Sequence, residues 1–419
     1  MEMVIGSKDV YMIIKQTLSM VNPDIMTHGE IVGFILAKML ECENAYTKAD
    51  IADYAMLGVL HDLGLYRNTN NGALFEFENT DVWAHSIYGY LFLKYLSPLA
   101  DKAEIILYHH LDYRLYDNMK NSRYLKITSY LNLADKMDLV MRSKSEFIDA
   151  EYFKAYRDIT FSGQALDSFY KADAKFKILQ SLSDGSYRVE LMRILSERVF
   201  SPEAKKRWLE LLIYTIDFRS VHTVDHTMAT TTFAHEIGRC MRLSSREQVN
   251  LYYGALLHDL GKLAIPIEIL ESPGRLSDEE MRVMRQHVEI TEDILNGVVN
   301  EEIFKIAITH HEKLDGSGYP RGLKGDQLNI QQRILAVADI LSALYGKRSY
   351  KDSMDIDTIK RIIQEDADNG KICSKVVAIT MRNYNTILRN FDEEHKLRMK
   401  MYLTIKEQYD SIYEQFRQL

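Results

Sequence analysis

The chain is poor in the residues that mark disulfide-rich and β-rich proteins. Its 419 residues include only 3 cysteines and 6 prolines. Cys42, Cys240 and Cys373 lie far apart and form no CxxC pair, so we expect neither a disulfide framework nor a thiolate zinc site, and we expect a cytoplasmic protein. Alternation of apolar and polar residues is scarce, which argues against a β-sheet protein.

Long apolar runs and an excess of positive charge are also missing. No segment approaches the roughly 20 apolar residues of a membrane-spanning helix. Residues 1–8 lack a basic region followed by an apolar core, so we expect no signal peptide. The formal net charge of −8 removes the simplest basis for binding duplex nucleic acid, although a local basic or metal-lined cleft can still bind an anion.

Helical periodicity dominates the sequence. Apolar residues recur at i, i+3, i+4, i+7 and i+8 before two His-Asp pairs. These residues are Ala52, Ala55, Met56, Val59 and Leu60 in one segment, and Val249, Tyr252, Tyr253, Leu256 and Leu257 in the other. Thr47-x-x-Asp50 and Ser245-x-x-Gln248 are candidate N-terminal caps for the two helices. The sequence therefore predicts an all-α fold.

The histidines reveal an internal repeat. Seven histidines and aspartates of the first half recur in the same order about 200 residues later. The first set is His28, His61, Asp62, His85, His109, His110 and Asp135, and the second set is His226, His258, Asp259, His287, His310, His311 and Asp339. We therefore predict two tandem helical domains, 1–199 with connecting helices and 200–419 with C-terminal helices, each a multi-helix bundle around a metal site.

The end of the chain carries a short heptad pattern. Its apolar residues are spaced 3, 4, 3, 4 and 3 apart: Tyr402, Ile405, Tyr409, Ile412, Phe416 and Leu419. One interpretation is an amphipathic helix that packs back on its own domain. The other is a homodimer contact.

The repeated residues have the chemistry of metal ligands. Neutral imidazoles and carboxylates together suit iron, manganese, nickel or zinc. Asp259 is the natural bridging ligand, and two bridged metals would clamp a phosphodiester and lower the pKa of a bridging water. The alternative interpretation is that these histidines are ordinary residues of a protein core and bind no metal. Each His-Asp pair, however, follows an apolar helix, where unpaired ionisable side chains would be costly to bury.

The second half resembles the HD-GYP family. The motifs that carry the resemblance are His226, residues 257–262 (LHDLGK), His287, residues 310–312 (HHE), residues 315–320 (DGSGYP), residues 322–325 (GLKG), Asp339 and residues 348–351 (RSYK). The resemblance implies a cyclic dinucleotide phosphodiesterase with two, sometimes three, metal ions, with iron or manganese favoured and nickel or zinc as alternatives. By matched position, one metal would take His226, His258, Asp259 and Asp339, and the other Asp259, His287, His310 and His311.

Three basic residues match family positions that contact substrate phosphates: Lys262, Arg348 and Lys351. Lys262 follows His258 by four residues, so it could face the metal site. The positions that hold a third metal in some members carry His222 and Ser342 here. Serine is a poor ligand, so we expect two ions in this domain.

The first half resembles the broader HD phosphohydrolase superfamily. Its ligand set is complete, and Asp24 and Asp138 occupy the third-metal positions. Leu65 replaces the Lys262 equivalent, and no Gly-Tyr-Pro loop follows His110. We expect further metal ions in this domain. It would act either as a second phosphohydrolase or as a sensor.

We therefore predict an enzyme that opens the 3′,5′-phosphodiester of a cyclic dinucleotide with a metal-activated hydroxide, with Asp259 and Lys262 as catalytic residues. Cyclic di-GMP is the default substrate, and 3′,3′-cyclic GMP-AMP is the alternative. A non-catalytic cyclic dinucleotide receptor and a general nucleotide phosphohydrolase are the competing functions.

Overall fold

The computed structural model describes residues 5–67, 82–119, 122–143, 150–217, 226–272, 274–346 and 355–417. Within these ranges the chain forms nineteen α-helices and six short 3-10 helices, and no strand. The predicted all-α fold is confirmed. No helix among the described residues is both long and apolar enough to span a membrane.

The helices fall into two compact units. The N-terminal unit comprises Val21–Leu211 and Thr404–Leu419, and the C-terminal unit comprises Met1–Met20 and Leu212–Leu403. The two halves divide at 211/212, whereas the predicted boundary is 199/200, and each unit also includes a segment from the opposite end of the chain. Sequence periodicity identifies such segments as helices but does not indicate which core covers them.

The N-terminal unit is built mainly from eight helices. They are α2 (Pro23–Glu43), α3 (Lys48–Val59), α4 (Val82–Leu96), α5 (Glu104–Leu107), α6 (Leu125–Ser143), α7 (Gly163–Phe176), α8 (Ile178–Asp184) and α9 (Tyr187–Ser196). The next helix, α10 (Pro202–Asp217), includes the boundary between the units.

The C-terminal unit contains a matching arrangement. Its helices are α1 (Ser7–Val21, of which Val21 belongs to the other unit), α11 (His226–Cys240), α12 (Ser245–Leu257), α13 (Ile267–Leu270), α14 (Asp278–Leu295), α15 (Glu301–Ile308), α16 (Ile330–Gly346), α17 (Ile356–Asp368) and α18 (Ser374–Arg382). The last helix, α19 (Tyr384–Phe416), belongs to this unit as far as Leu403.

Capping side chains define where the two motif-bearing helices begin. Thr47 and Asp50 form the predicted capping box of α3. For α12 the box is Ser244 with Glu247, one residue before the predicted pair, so that prediction is wrong. Glu247 provides the carboxylate that reaches back to the Ser244 amide, a bond that also satisfies an otherwise unpaired donor.

The heptad residues at the end of α19 pack within the N-terminal unit. Tyr409 stacks on Tyr88 with ring centroids 4.1 Å apart, and Phe416 lies 4.8 Å from Trp83. We expected either the second domain or a second chain to cover this helix, whereas these partners come from the first half of the same chain.

Two glycines allow the turn after each His-Asp pair to lie against the helix that carries the next histidine of its set. A Cβ on Gly64 would lie 2.1 Å from the His85 carbonyl oxygen, and a Cβ on Gly261 would lie 2.0 Å from that of His287. Neither space accepts a methyl group, so glycine brings each His-Asp pair close to the third histidine of its set.

Replacing Gly261 by alanine should therefore destabilise the C-terminal unit, by about 1–3 kcal/mol as in other overpacked sites. Urea unfolding followed by circular dichroism measures the change. Gly274→Ala is the matched control, because nothing lies within 4 Å of its added Cβ. Equal stability of the two variants would contradict this close-packing account.

Candidate metal centres

The seven repeated residues of the C-terminal unit meet at one place because they lie at helix ends or face the same interior. His226 begins α11, the His258-Asp259 pair follows α12, and the His310-His311 pair follows α15. His287 and Asp339 project from α14 and α16. The structure therefore brings together all seven candidate ligands of this half.

Asp259 separates the histidines into two groups. Its Oδ2 lies 3.0 Å from His258 Nε2 and 3.5 Å from His226 Nε2. Its Oδ1 lies 3.4 Å from His287 Nε2 and 3.8 Å from His310 Nε2. One carboxylate thus presents one oxygen to each group, as a bridging ligand would.

Asp339 completes the arrangement from the opposite side. Its Oδ1 is 3.0 Å from His226 Nε2, and its Oδ2 is 3.6 Å from His311 Nδ1. The ligand atoms of His226, His258 and Asp259 lie within 4.8 Å of one another, as do those of His287, His310 and His311. These dimensions suit two neighbouring ions.

The N-terminal unit repeats this geometry. Asp62 Oδ2 lies 3.4 Å from His61 Nε2, while its Oδ1 lies 3.5 Å from His85 Nε2. The other candidate ligands complete two groups within 4.8 Å: His28, His61 and Asp135, and Asp62, His85, His109 and His110. Both halves therefore form the same constellation.

Backbone carbonyls orient five of the imidazoles. In each case Nδ1 donates to the carbonyl three residues earlier, at 2.6–2.7 Å, which leaves Nε2 available to a metal. The pairs are His61–Gly58, His109–Ile106, His258–Ala255, His287–Met284 and His310–Ala307. Most of these carbonyls are at the C-terminal end of a helix, where they have no intrahelical partner.

Several buried ligand atoms lack a hydrogen bond. In the C-terminal unit these include His258 Nε2 and Asp259 Oδ1, and in the N-terminal unit His61 Nε2, His109 Nε2 and both oxygens of Asp62. Polar atoms buried without partners are costly. Divalent cations would satisfy all of them, so the residues fit the metals that the sequence predicts.

The electrostatic environment differs between the two groups of each cluster. Burial disfavours a charge on His258, but the Asp259 and Asp339 carboxylates outweigh burial and raise the pKa of His258 to about 10. His28 behaves likewise beside Asp135, with a pKa of about 10. Burial instead lowers the pKa of His287 to about 4.

The partners of the first histidine in each set were not recognised from the sequence. Ser342 Oγ lies 3.0 Å from His226 Nδ1, whereas Asp138 Oδ2 lies 2.7 Å from His28 Nδ1 and also accepts a bond from Arg142. Asp138 thus orients a ligand histidine at a position we considered for a third metal. Asp24, the other such carboxylate, is exposed.

Lys262 is the described basic residue nearest the bridging carboxylate. Its Nζ lies 2.5 Å from Asp259 Oδ2. The segment is a 3-10 helix, Leu260–Ala264, rather than a continuation of α12. Arg348, Lys351 and His222 lie outside the described residues.

The Gly-Tyr-Pro loop folds back on the C-terminal cluster. The Tyr319 ring lies 4.7 Å from the His311 ring. Glu312, which is 2 % exposed, accepts the backbone N–H groups of Arg321 at 2.7 Å and Leu323 at 2.9 Å. Gly316 has a φ of 82°, and a Cβ on Gly318 would lie 2.6 Å from the His311 carbonyl oxygen. The loop is therefore one wall of the site.

One known family matches part of this half. Residues 210–376 match the HD domain family, and this range includes all seven candidate ligands of the half. The motifs and metal-ligand geometry of this half agree with the predicted resemblance.

Known proteins are similar to this chain over different lengths. The 3′3′-cGAMP-specific phosphodiesterase 1 of Vibrio cholerae is 26% identical over 90% of this chain and 92% of its own length. A cyclic di-GMP phosphodiesterase of Thermotoga maritima is 37% identical over 40% of this chain and 46% of its own. The first similarity therefore extends over both halves, and the second over less than half of either chain.

A solved structure has a similar fold over most of this chain. It is a cyclic GMP-AMP specific phosphodiesterase of V. cholerae, which aligns with a TM-score of 0.56 and 17% identity. The alignment covers 91% of this chain and 98% of the other. Both halves of this chain therefore belong to a fold already observed.

Glu312→Gln should loosen the loop that follows the His310-His311 pair. An amide keeps one acceptor oxygen but presents N–H groups to the other backbone donor, and the charge of the acceptor is lost, a change worth about 1.5–3 kcal/mol. Trypsin should cleave faster after Arg321 and Lys324. Glu301→Gln is the control, since Glu301 is exposed and pairs only with Lys305 among the described contacts. Unchanged cleavage would contradict the proposed anchoring.

Metal binding should release protons. With a pKa of about 10, His28 and His258 are protonated at pH 7 in the metal-free chain and must lose that proton to bind a cation. Affinity for Mn²⁺ should therefore rise as the pH increases from 7 toward 10. Calorimetric titration of the metal-free chain in buffers of different ionisation enthalpy measures the release, and buffer-independent heats would contradict it.

Proposed function

We propose that this chain is a metal-dependent phosphodiesterase that opens a cyclic dinucleotide to the linear dinucleotide at the cluster of the C-terminal unit. The observation that carries the proposal is Asp259, whose two oxygens face two separate groups of histidines while Lys262 pairs with it. A pure receptor has no need of such an arrangement. The two competing functions, a non-catalytic receptor and a general nucleotide phosphohydrolase, are therefore alternative outcomes of the product analysis.

The metal ligands proposed for this site are His226, His258, Asp259, His287, His310, His311 and Asp339. Bound divalent metals supply a water nucleophile of lowered pKa and neutralise charge on the phosphoryl oxygens. We favour iron or manganese as the metal. Nickel and zinc are the alternatives, because imidazole and carboxylate ligands bind all four metals.

The protein's own groups bind and orient the substrate. The Lys262 side chain is 19% exposed and its ammonium is held beside Asp259, so it can contact a phosphate placed over the cluster. Arg348 and Lys351 are proposed further phosphate contacts from the family resemblance. His311 and Tyr319 form the adjoining wall.

The preferred substrate is 3′,3′-cyclic GMP-AMP. The relative that matches both halves of this chain is named for that nucleotide, whereas the cyclic di-GMP phosphodiesterase of T. maritima matches only part of it. Cyclic di-GMP is the second candidate. Three unpaired cysteines agree with a reducing, cytoplasmic location.

We propose that the N-terminal cluster also binds metal, through His28, His61, Asp62, His85, His109, His110 and Asp135. Because this ligand set is complete, the proposed activity is a second phosphohydrolase step, removal of the 5′-phosphate from the linear product, although the equivalent of Lys262 is missing. A sensor is the alternative. A homodimer through the C-terminal helix has less support, because Tyr409 and Phe416 already pack on aromatic residues of the same chain.

Product analysis tests the proposal. Anaerobically purified protein should linearise cyclic GMP-AMP, and Lys262→Met should lower kcat by about 10²–10³-fold because it removes one charge that stabilises the transition state. Asp259→Ala should abolish the reaction and the bound metals of this site. Lys305→Met is the control, since the Lys305 side chain is 56% exposed and its ammonium pairs with Glu301 rather than with a residue of the cluster.

Retained turnover in Asp259→Ala would overturn the assignment of the active site. Faster hydrolysis of mononucleotides than of either cyclic dinucleotide would favour a general phosphohydrolase. Tight binding without turnover would favour a receptor. For the N-terminal cluster, Asp62→Ala should leave linearisation intact and let the 5′-phosphorylated product accumulate, and an unchanged product distribution would exclude the second step.

A further inference from the structure

The third histidine of the first metal cluster lies in the first turn of a helix. His85 is the fourth residue of α4, which begins at Val82. The first N–H groups of a helix have no intrahelical partner, so contacts from other elements help to hold a first turn in place. His287, its counterpart, lies well inside α14, whose start is fixed by the capping box of Ser277 and Glu280.

An aromatic residue from the end of the chain packs on this first turn. Phe416 is 5% exposed, and its ring lies 4.8 Å from Trp83 and 5.6 Å from Tyr108. Trp83 precedes His85 by two residues, and Tyr108 directly precedes His109. One side chain therefore contacts the neighbours of two candidate ligands.

A second aromatic residue contacts α4 beyond His85. The Tyr409 ring stacks on Tyr88 at 4.1 Å with an interplanar angle of 16°. Tyr88 follows His85 by three residues and is 8% exposed. The last helix thus contacts α4 at one residue before His85 and at one residue after it.

The C-terminal cluster obtains a similar contact from its Gly-Tyr-Pro loop. Tyr319 packs against Arg285, at 4.8 Å, and against His311. Arg285 precedes His287 by two residues, as Trp83 precedes His85. The N-terminal half has no such loop, and Phe416 contacts the corresponding position.

We infer that Phe416 and Tyr409 are positioning residues of the N-terminal metal centre. They hold α4 and the Tyr108-His109 segment in place, so that His85 and His109 point toward Asp62. The end of the chain thereby replaces the missing loop. This inference rests on the proposed binding of metal by the N-terminal cluster.

Cobalt binding to the metal-free full chain tests the inference. Trp83 and Trp208 are the only tryptophans, so Trp208→Phe leaves Trp83 as a fluorescent reporter beside His85. Asp259→Ala in the same chain removes the C-terminal site. In this parent, Co²⁺ should quench Trp83 emission, and Phe416→Ala should raise the Kd about tenfold, as loss of outer-shell support does elsewhere.

Two control variants separate positioning from general damage. Phe416→Tyr retains the ring and should restore the parent's affinity. Leu403→Ala alters a side chain of the same helix that is 51% exposed and should leave the Kd unchanged. If Phe416→Ala fails to fold by circular dichroism, Phe416→Leu is measured in its place, with a raised Kd expected.

The possible failures are distinguishable. An unchanged Kd in Phe416→Ala, with Trp83 emission shifted to the red because its contact is lost, would overturn the positioning role. Equal weakening by Leu403→Ala would overturn it too. Absence of quenching in the parent would instead overturn metal binding by the N-terminal cluster, and with it the basis of the inference.

Discussion

The structure depends on two buried carboxylates, Asp62 and Asp259. Each is 2% exposed and each lies among imidazoles that its two oxygens divide into two groups. A carboxylate in such a place is costly unless it is paired. Three features bring partners to that charge. They are the helix ends around the carboxylate, the carbonyls that fix the histidine tautomers and the glycines that allow close approach.

The two halves meet this constraint with different surroundings. His28 is backed by the Asp138 carboxylate and Arg142, whereas His226 is backed by the Ser342 hydroxyl. A charged acceptor behind a ligand imidazole makes the ligand more basic than a hydroxyl does. Lys262 and the Gly-Tyr-Pro wall are found only in the second half, which is why that half is the proposed site of linearisation.

Much of this site could be predicted from the sequence, because its chemistry is concentrated in residues with a repeated order. A His-Asp pair after an apolar helix is conspicuous, and so is its recurrence about 200 residues later. Ser342, Asp138 and Glu312 could not be assigned their roles in this way. Each acts through hydrogen bonds that only the folded chain brings together, and serine or a carboxylate at such a position is also typical of a solvated surface.

The sequence also did not predict where the last helix of the chain packs. Heptad spacing correctly indicated that the last helix has an apolar face, but periodicity does not identify the surface that covers it, and the partners of Phe416 and Tyr409 lie in the first half. The central claim is that each half holds metals bridged by its aspartate. Anomalous diffraction from anaerobically grown crystals tests it most directly: we expect paired metal peaks beside both Asp259 and Asp62, and an absence of peaks beside Asp259 in metal-replete crystals would contradict the account.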